Sequence, residues 1–486
     1  MRSAGVRWLP GTPPIERQHV ITSKAQPCAA EVIRSTRGTS ACSERDKAWV
    51  LAAAVLGSTM AFVDESVVNV ALPTIEADLG TTLAAMQWVI NAYTLCMSAL
   101  LLVGGAAADR FGRRLLFLIG IVAFTLASIA CGLAPGIAAL IGARAIQGVG
   151  AALLIPCSLA IIGAAFNEQE RGAAIGIWSG ASALAAGAGP LLGGSLVDHL
   201  SWRAIFLINP LIAIPTLWIA VRRLPESGDP TAHASLDWRG AALAFGGLGG
   251  LVYGLISASR LGWQDMTVVG SLTVGALLLS GLVLEERRSR APMMPLRLFG
   301  SRSFSGVNLL TLFLYGALGG AFFLLPFLLI QAHGFSATAA GAVYLPFTLV
   351  LAVLSRWSGG LVDRFGARRP LIIGPLIAAV GFALLAAVSG ERAYWDYLGP
   401  MIVLGFGMAI TVAPLTTTVI NSVNERETGV ASGINNVVAA VASLLVIAVL
   451  GTLVADSLVA TARLVMSTAA ALALASAAAA AFTIRI

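Results

Sequence analysis

Residues Gly105-Ala106-Ala107-Ala108-Asp109-Arg110-Phe111-Gly112-Arg113-Arg114 return 254 positions later as Gly359-Gly360-Leu361-Val362-Asp363-Arg364-Phe365-Gly366, followed by Ala367-Arg368-Arg369. A second pattern repeats independently. Asn167-Glu168-x-Glu170-x-Gly172-x-Ala174-x-Gly176 recurs 257 positions on as Asn424-Glu425-x-Glu427-x-Gly429-x-Ala431-x-Gly433. Two registers that differ by three residues describe one long internal duplication. Each copy of the first pattern is a short charged stretch between long apolar ones.

The chain has 486 residues, of which 11% are charged and 57% hydrophobic. A soluble domain carries roughly 25% charge, so this chain could not cover a water-facing surface. The composition predicts an all-α integral membrane protein and excludes soluble enzymes and nucleic-acid binders. Apolar segments of about 20 residues are needed to span. Fourteen occur, over residues 48–73, 84–108, 115–133, 138–165, 172–197, 204–222, 240–259, 266–284, 304–331, 338–361, 370–389, 397–421, 428–453 and 464–484. His333-Gly334-Phe335-Ser336 divides the ninth from the tenth, and Leu133-Ala134-Pro135-Gly136 divides the third from the fourth, because Gly and Pro punctuate helices. The duplication maps helix 2 on helix 10 and helix 5 on helix 13. The predicted architecture is two parallel six-helix repeats, residues 48–222 and 303–486, with helices 7 and 8 and their flanking loops (223–302) inserted between them. Residues 1–47 read as a flexible cytoplasmic tail without the apolar run of a secretory signal. Parallel repeats of this kind are a transporter signature, with the substrate path at the repeat interface.

Placing the N-terminus inside puts 25 of the 31 basic residues in cytoplasmic segments and four outside: Arg203, Arg260, Arg392 and Arg463. The positive-inside rule therefore predicts a multi-pass cell-membrane protein with both termini cytoplasmic. The same bias accounts for the net charge of +7 without an acidic partner or nucleic acid. The five cysteines and four histidines are dispersed, so no disulfide framework or metal site is expected. No Walker A sequence surrounds Lys24 or Lys47, which argues against ATP drive. No nucleophile–base constellation or HExxH motif suggests an enzyme.

The GxxxDRFGRR loop resembles the loop between helices 2 and 3 of the major facilitator superfamily. Other segments narrow the likeness. They are Asp64-Glu65-Ser66-Val67-Val68-Asn69-Val70-Ala71-Leu72-Pro73 in helix 1, Gln87-Trp88-Val89 and Tyr93-x-Leu95 in helix 2, and Arg144-x-x-Gln147-Gly148-x-Gly150-Ala151 in helix 4. Gly189-Pro190-x-x-Gly193-Gly194 in helix 5 and Trp202-Arg203-x-Ile205-Phe206-x-Ile208-Asn209 at helix 6 complete the set. From residue 48 to the end the chain is similar to the 14-helix drug:proton antiporters, the EmrB/QacA-type multidrug exporters. Three positions depart from that pattern. Ala185 replaces a glycine before Gly189-Pro190, Glu65 stands where the pattern is variable, and Pro210 comes one residue early.

A charge near a helix centre costs about 2.5–3.5 kcal/mol on insertion scales, so intramembrane charges are functional candidates. Here they are Asp64 and Glu65 in helix 1, Arg144 in helix 4 and Arg356 in helix 10. Counted from the helix ends, Asp64 and Arg144 fall in one layer. The expectation is that Asp64 carries a proton, Arg144 tunes its affinity and Glu65 assists; a static Asp–Arg lock between helices is the competing reading. The resemblance implies a gating loop of Gly105, Asp109, Arg110, Gly112, Arg113 and Arg114, echoed by Asp363 and Arg364. It also implies an antiporter seal at Gly189, Pro190, Gly193 and Gly194. Asn69, Trp88, Asn91, Tyr93 and Gln147 are candidate substrate contacts, and packing is an equal reading for each. The sequence predicts export of hydrophobic or cationic compounds in exchange for protons, with no cofactor. A dedicated exporter of a metabolite, peptide or lipid is the alternative, and a receptor or scaffold is a third reading that the paired intramembrane charges oppose.

Overall fold

A computed structural model describes residues 44–227, 237–289, 292–391, 393–424, 427–453 and 455–484. Most of the 1–47 tail lies outside the described residues; the first helix already begins at Glu44. Fourteen helices among the described residues are long and apolar enough to cross a membrane. They are α1 (Asp46–Asp78), α2 (Leu83–Phe111), α3 (Arg113–Gly132), α4 (Ile137–Ala165), α5 (Gln169–His199), α6 (Ala204–Arg223), α7 (Trp238–Leu261) and α8 (Met266–Arg288). The second half supplies α9 (Arg302–Ala332), α10 (Ala337–Leu354), α11 (Arg368–Val388), α12 (Tyr394–Asn421), α13 (Thr428–Leu453) and α14 (Leu458–Thr483). Helices α1–α6 and α9–α14 form the two bundles, and α7 and α8 pair with each other between them in sequence. The protein is a multi-pass membrane protein. We call the side that carries α1's start and most arginines the basic side, and the opposite one the far side.

Local sequence sets the helix ends. Thr82, Asn167, Asp237, Asp265, Ser301, Ser336 and Ser457 each accept a hydrogen bond from a first-turn N–H, which satisfies a backbone donor that the helix leaves open. Gly112 ends α2 and opens α3 with φ +107°, a conformation that a side chain resists. Its repeat mate Gly366 also has a positive φ, +70°. The helices run further than the apolar segments suggest. Pro73 lies inside α1, which continues to Asp78, because a helix keeps its register past a proline when neighbours cover the freed groups. Helix α10 is interrupted: residues Ala337–Ala342 and Leu345–Ser358 are helical with a turn between them.

The repeat is preserved in packing. A Cβ on Gly150 of α4 would lie 2.7 Å from the Phe124 nitrogen of α3. A Cβ on Gly407 of α12 would lie 2.5 Å from the Ala378 nitrogen of α11. Phe124 and Ala378 are separated by 254 positions and Gly150 and Gly407 by 257, the two registers of the sequence duplication. Small residues let backbones touch where apolar lipid gives helices no reason to associate.

The bundles meet on the far side. Asp198 at the end of α5 accepts N–H bonds from Ala337 (3.0 Å) and Thr338 (2.7 Å) at the start of α10. Gln87 of α2 donates to the Ile447 carbonyl of α13 at 2.5 Å, and Gln331 of α9 donates to Glu76 of α1 at 2.7 Å. A Cβ on Gly194 would strike the Ala337 carbonyl, and one on Gly341 the Pro190 carbonyl. Toward the basic side, Gly172, Gly176 and Gly180 of α5 meet nothing. Among the described residues, the hydrogen bonds between the bundles thus lie on the far side, and the basic-side glycines of α5 have no neighbour at the Cβ position.

Gly150→Leu or Gly407→Leu should destabilise the purified protein by about 1–3 kcal/mol, the usual cost of overpacking. Gly142→Leu, whose added Cβ meets open space, should not. Thermal melts in detergent check this, and equal melting of Gly150→Leu and Gly142→Leu would contradict the contact.

Candidate functional site

Asp64, at mid-length of α1, is fully buried, as are Arg144 and Gln147 of α4 and Asn209 of α6. The Arg144 guanidinium pairs with Asp64 Oδ2 through Nη1. Gln147 Nε2 donates to Asp64 Oδ1 at 2.7 Å, and Asn209 Nδ2 donates to the same oxygen at 3.0 Å. Both carboxylate oxygens are therefore occupied by donors from two other helices. Arg144 is held in turn by the Val89 carbonyl (3.2 Å), by Gln147 Oε1 (2.8 Å) and by the Tyr93 ring, whose centroid lies 4.2 Å below it. Asn209 also reaches Ser128 of α3, which donates to the Phe206 carbonyl. Five helices of one bundle converge on a single carboxylate.

The arrangement follows from helix periodicity. Arg144 and Gln147 are three residues apart and share a face, so one helix presents both a charge and an amide. A lone carboxylate in this layer would be severely destabilising. An ion pair with its remaining positions hydrogen-bonded makes it tolerable. The cluster nevertheless keeps spare capacity: Arg144 Nη2, the Tyr93 hydroxyl and Asn209 Oδ1 are buried without a hydrogen-bond partner. Buried polar groups are normally satisfied, so the network retains unused donors and acceptors that a rearranged state can engage.

Glu65 differs from its neighbour. Its side chain is exposed although the residue lies mid-span, and it is within electrostatic range of Arg144 and Asp64. Helix α1 packs on α4, α5 and α6 and also meets α9 and α10 of the other bundle. Glu76, eleven residues beyond Glu65 and about three turns along the same face, bonds Gln331 of α9. That face looks toward the second bundle, so Glu65 opens on the cleft between the bundles.

The other sequence candidates fall at several places. Asn69 donates back to the Glu65 carbonyl and is half-buried. Asn91 is fully buried, with neither amide atom bonded. Trp88 lies beside Tyr253 of α7, ring centroids 6.3 Å apart. Tyr93 and Gln147 belong to the Asp64–Arg144 cluster. In the gating loop, Asp109 accepts from Arg113 Nε (2.9 Å) and Nη2 (2.8 Å), while Arg113 and Arg114 reach the Ala160 and Val221 carbonyls. Arg110 stacks on Phe111, and Gly105 sits beside Pro156 of α4. Arg364 is exposed; the side chains of Arg356 and Asp363 lie outside the described residues. In α5, a Cβ on Gly189 would strike the Ser66 hydroxyl of α1, and one on Gly193 would come within 2.8 Å of the Val67 carbonyl. Pro190 and Gly194 face α10. Asn209 was quoted from sequence only as part of the helix-6 segment and not as a site candidate, and Ser128 and Asp198 were not singled out. Asn209 carried a signal, as an uncharged polar residue deep in an apolar helix; Asp198 carried none, since it ends a helix as many solvated carboxylates do.

Fourteen spanning helices in two repeats, with a buried ion pair inside the first, are the architecture of a membrane transporter. The Major Facilitator Superfamily pattern matches residues 54–447, and the chain belongs to that family. It is 35% identical to the tetracenomycin C resistance and export protein of Streptomyces glaucescens, over 86% of this chain and 78% of that one. It is 38% identical to the cephamycin export protein CmcT of Amycolatopsis lactamdurans (83% and 85%) and 36% identical to the multidrug resistance protein Stp of Mycobacterium tuberculosis (86% and 78%). Among solved structures, a bacterial homologue of the lysosomal transporter Spinster in an inward-facing, unoccupied conformation superposes with TM-score 0.65 at 17% identity, over 91% of this chain and 97% of that one. A peptide transporter with bound sulfate gives 0.68 at 16%, over 93% and 97%.

Arg144→Gln leaves the Asp64 charge buried with amide donors alone and should lower stability by about 3–5 kcal/mol. Adding Asp64→Asn should restore most of it. Melting of the two single variants and the double decides the matter; strictly additive losses would mean that the two residues act independently.

Proposed function

We propose that the protein is a secondary active exporter of hydrophobic or amphiphilic compounds, driven by protons moving the other way. In this reading it sits in the cell membrane with the basic side and both termini cytoplasmic. The observation that carries it is the Asp64–Arg144 pair beside Glu65, on the face of α1 that looks into the cleft. A carboxylate with a built-in counter-charge has two nearly balanced states: deprotonated and paired, or protonated with Arg144 turned to another acceptor. Glu65, open to the cleft, is the group that meets a proton or a cationic substrate first and assists Asp64. Asn69 lies one turn from it, and Asn91 of α2 holds an uncommitted buried amide. The chemistry needs no cofactor and no ATP.

The described state suits the loading half of such a cycle: closed on the far side, open to the cytoplasmic side. Opening the other way requires releasing Asp198 from α10, Gln87 from α13 and Glu76 from Gln331. We assign the α2–α3 loop to the opposite state. Asp109 now pairs with Arg113 of its own loop and is available to latch the cytoplasmic side when the cleft closes there.

The names of the relatives support export and include both single-compound exporters and a multidrug protein. A dedicated exporter of one endogenous product is therefore the second reading. A panel of unrelated dyes against one antibiotic class separates the two.

Asp64→Asn should abolish dye export driven by an imposed pH gradient in proteoliposomes while the protein still folds. Undiminished coupled export would overturn the assignment. Asp109→Ala should lower turnover several-fold and leave dye binding nearly unchanged; parallel losses in both would remove the latch.

A further inference from the structure

The two seams between the bundles are repeat mates, and they are built differently. The offsets of 254 and 257 carry α2 on to α10 and α5 on to α13, so the α2–α13 seam corresponds to the α10–α5 seam. Gln87 corresponds to Gly341, and Pro190 to Ile447. Both pairs touch. Gln87 Nε2 donates to the Ile447 carbonyl at 2.5 Å, and a Cβ on Gly341 would strike the Pro190 carbonyl. The same two positions are joined by a side chain in one seam and by close backbone approach in the other.

The next turn of α2 carries Asn91, whose mate on α10 is Leu345. At about 100° per residue, Gln87, Asn91, Leu95 and Leu102 fall within about 80° of one another. The three that flank Asn91 all meet α13: Gln87 at Ile447, Leu95 in a cluster with Leu444 and Ala448, and Leu102 at Gly433. Asn91 therefore lies on the face of α2 that packs against α13. It is fully buried, and neither atom of its amide has a hydrogen-bond partner. Gln87 Oε1, the part of that amide not spent on Ile447, is unpartnered as well. Other polar side chains within the spans satisfy themselves. Ser98, on the same face of α2, donates to the Thr94 carbonyl at 2.6 Å, and Asn69 of α1 donates to the Glu65 carbonyl at 3.1 Å. Helix α7 shields the seam from outside. Its Leu248, Val252 and Ile256 complete the Leu95–Leu444 cluster, and its Tyr253 lies beside Trp88.

We infer that Asn91 is a poising residue: its unanswered amide raises the energy of the far-side-closed state and keeps the α2–α13 seam ready to part. A buried amide without partners has given up its hydrogen bonds to water and received none in return. That cost falls on the closed seam alone, because parting α2 from α13 lets water reach the amide. A cost borne by one of two states shifts the population toward the other. Gln87 ties the seam through Nε2, and Asn91, one turn away, limits how firmly it holds. The inference rests on the proposed two-sided cycle, and it is independent of the cargo and of the proton drive.

Hydrogen exchange of the full-length protein in nanodiscs, without substrate, reads the closure at Ala337 and Thr338, whose N–H groups Asp198 holds on the far side. Asn91→Leu replaces the amide with an apolar side chain of similar size and should slow exchange there about tenfold. In proteoliposomes the same variant should export dye several-fold more slowly while still binding it. Unchanged or faster exchange in Asn91→Leu overturns the inference. Loss of dye binding with unchanged exchange overturns it too and makes Asn91 a substrate contact. Should the leucine variant misfold, Asn91→Met, with a more adaptable side chain, takes its place in the same measurement. If exchange slows as expected but the unmutated protein exports no dye under a pH gradient, the export reading fails and the poising role stands. If the unmutated protein exports dye and exchange does not respond to the substitution, the poising role fails and export stands.

Discussion

A carboxylate in the middle of a membrane needs its charge answered by protein, because no water or lipid group there can do so. Asp64 is answered by Arg144, Gln147 and Asn209 at once. That requirement draws α1, α4 and α6 to one point, and α2 and α3 follow through the Tyr93 ring and Ser128. The second bundle holds no comparable ion pair among the described residues. There Asn435 of α13 bonds Asn308 and Thr311 of α9, a neutral link between the repeat mates of α5 and α1. The two halves thus share a frame but not its polar links: a charge joins α1 to α4 and α6 in one, and amides and a hydroxyl join α9 to α13 in the other.

Packing explains how such a frame can move. Within a bundle, glycine lets backbones touch, as at Gly150–Phe124 and Gly407–Ala378, and such contacts leave little room for sliding. Between the bundles the bonds cluster at one end. Each bundle therefore behaves as a body whose inner contacts are many and whose contacts with its twin are few, the condition for rocking about a fixed site.

Much of this was legible in the sequence. Hydropathy, with Gly and Pro punctuation to divide helix 3 from 4 and helix 9 from 10, located all fourteen helices, because apolar runs of spanning length have no other stable form here. The GxxxDRFGRR repeat paired α2 with α10, and residue depth put Asp64 and Arg144 in one layer. Other features were not legible. Asn209 acquires its partner from α1, 145 residues away, and no local pattern encodes that meeting. Trp88 lies beside α7, which belongs to neither repeat. The interruption of α10 and the extension of α1 past Pro73 depend on neighbouring helices, which hydropathy does not describe.

The far-side closure relies mostly on backbone partners. Asp198 grips two main-chain N–H groups, and Gln87 grips a main-chain carbonyl. A main-chain partner is the same whatever residue supplies it. The start of α10 and the end of α13 can therefore drift in sequence without loosening the closure, while Asp198 and Gln87 cannot. Correlated substitutions, which betray side-chain pairs across an interface, should be weak at this gate, and its residues would be underestimated by any survey that reads contacts from covariation. The Glu76–Gln331 pair is the exception, with a side chain on each end.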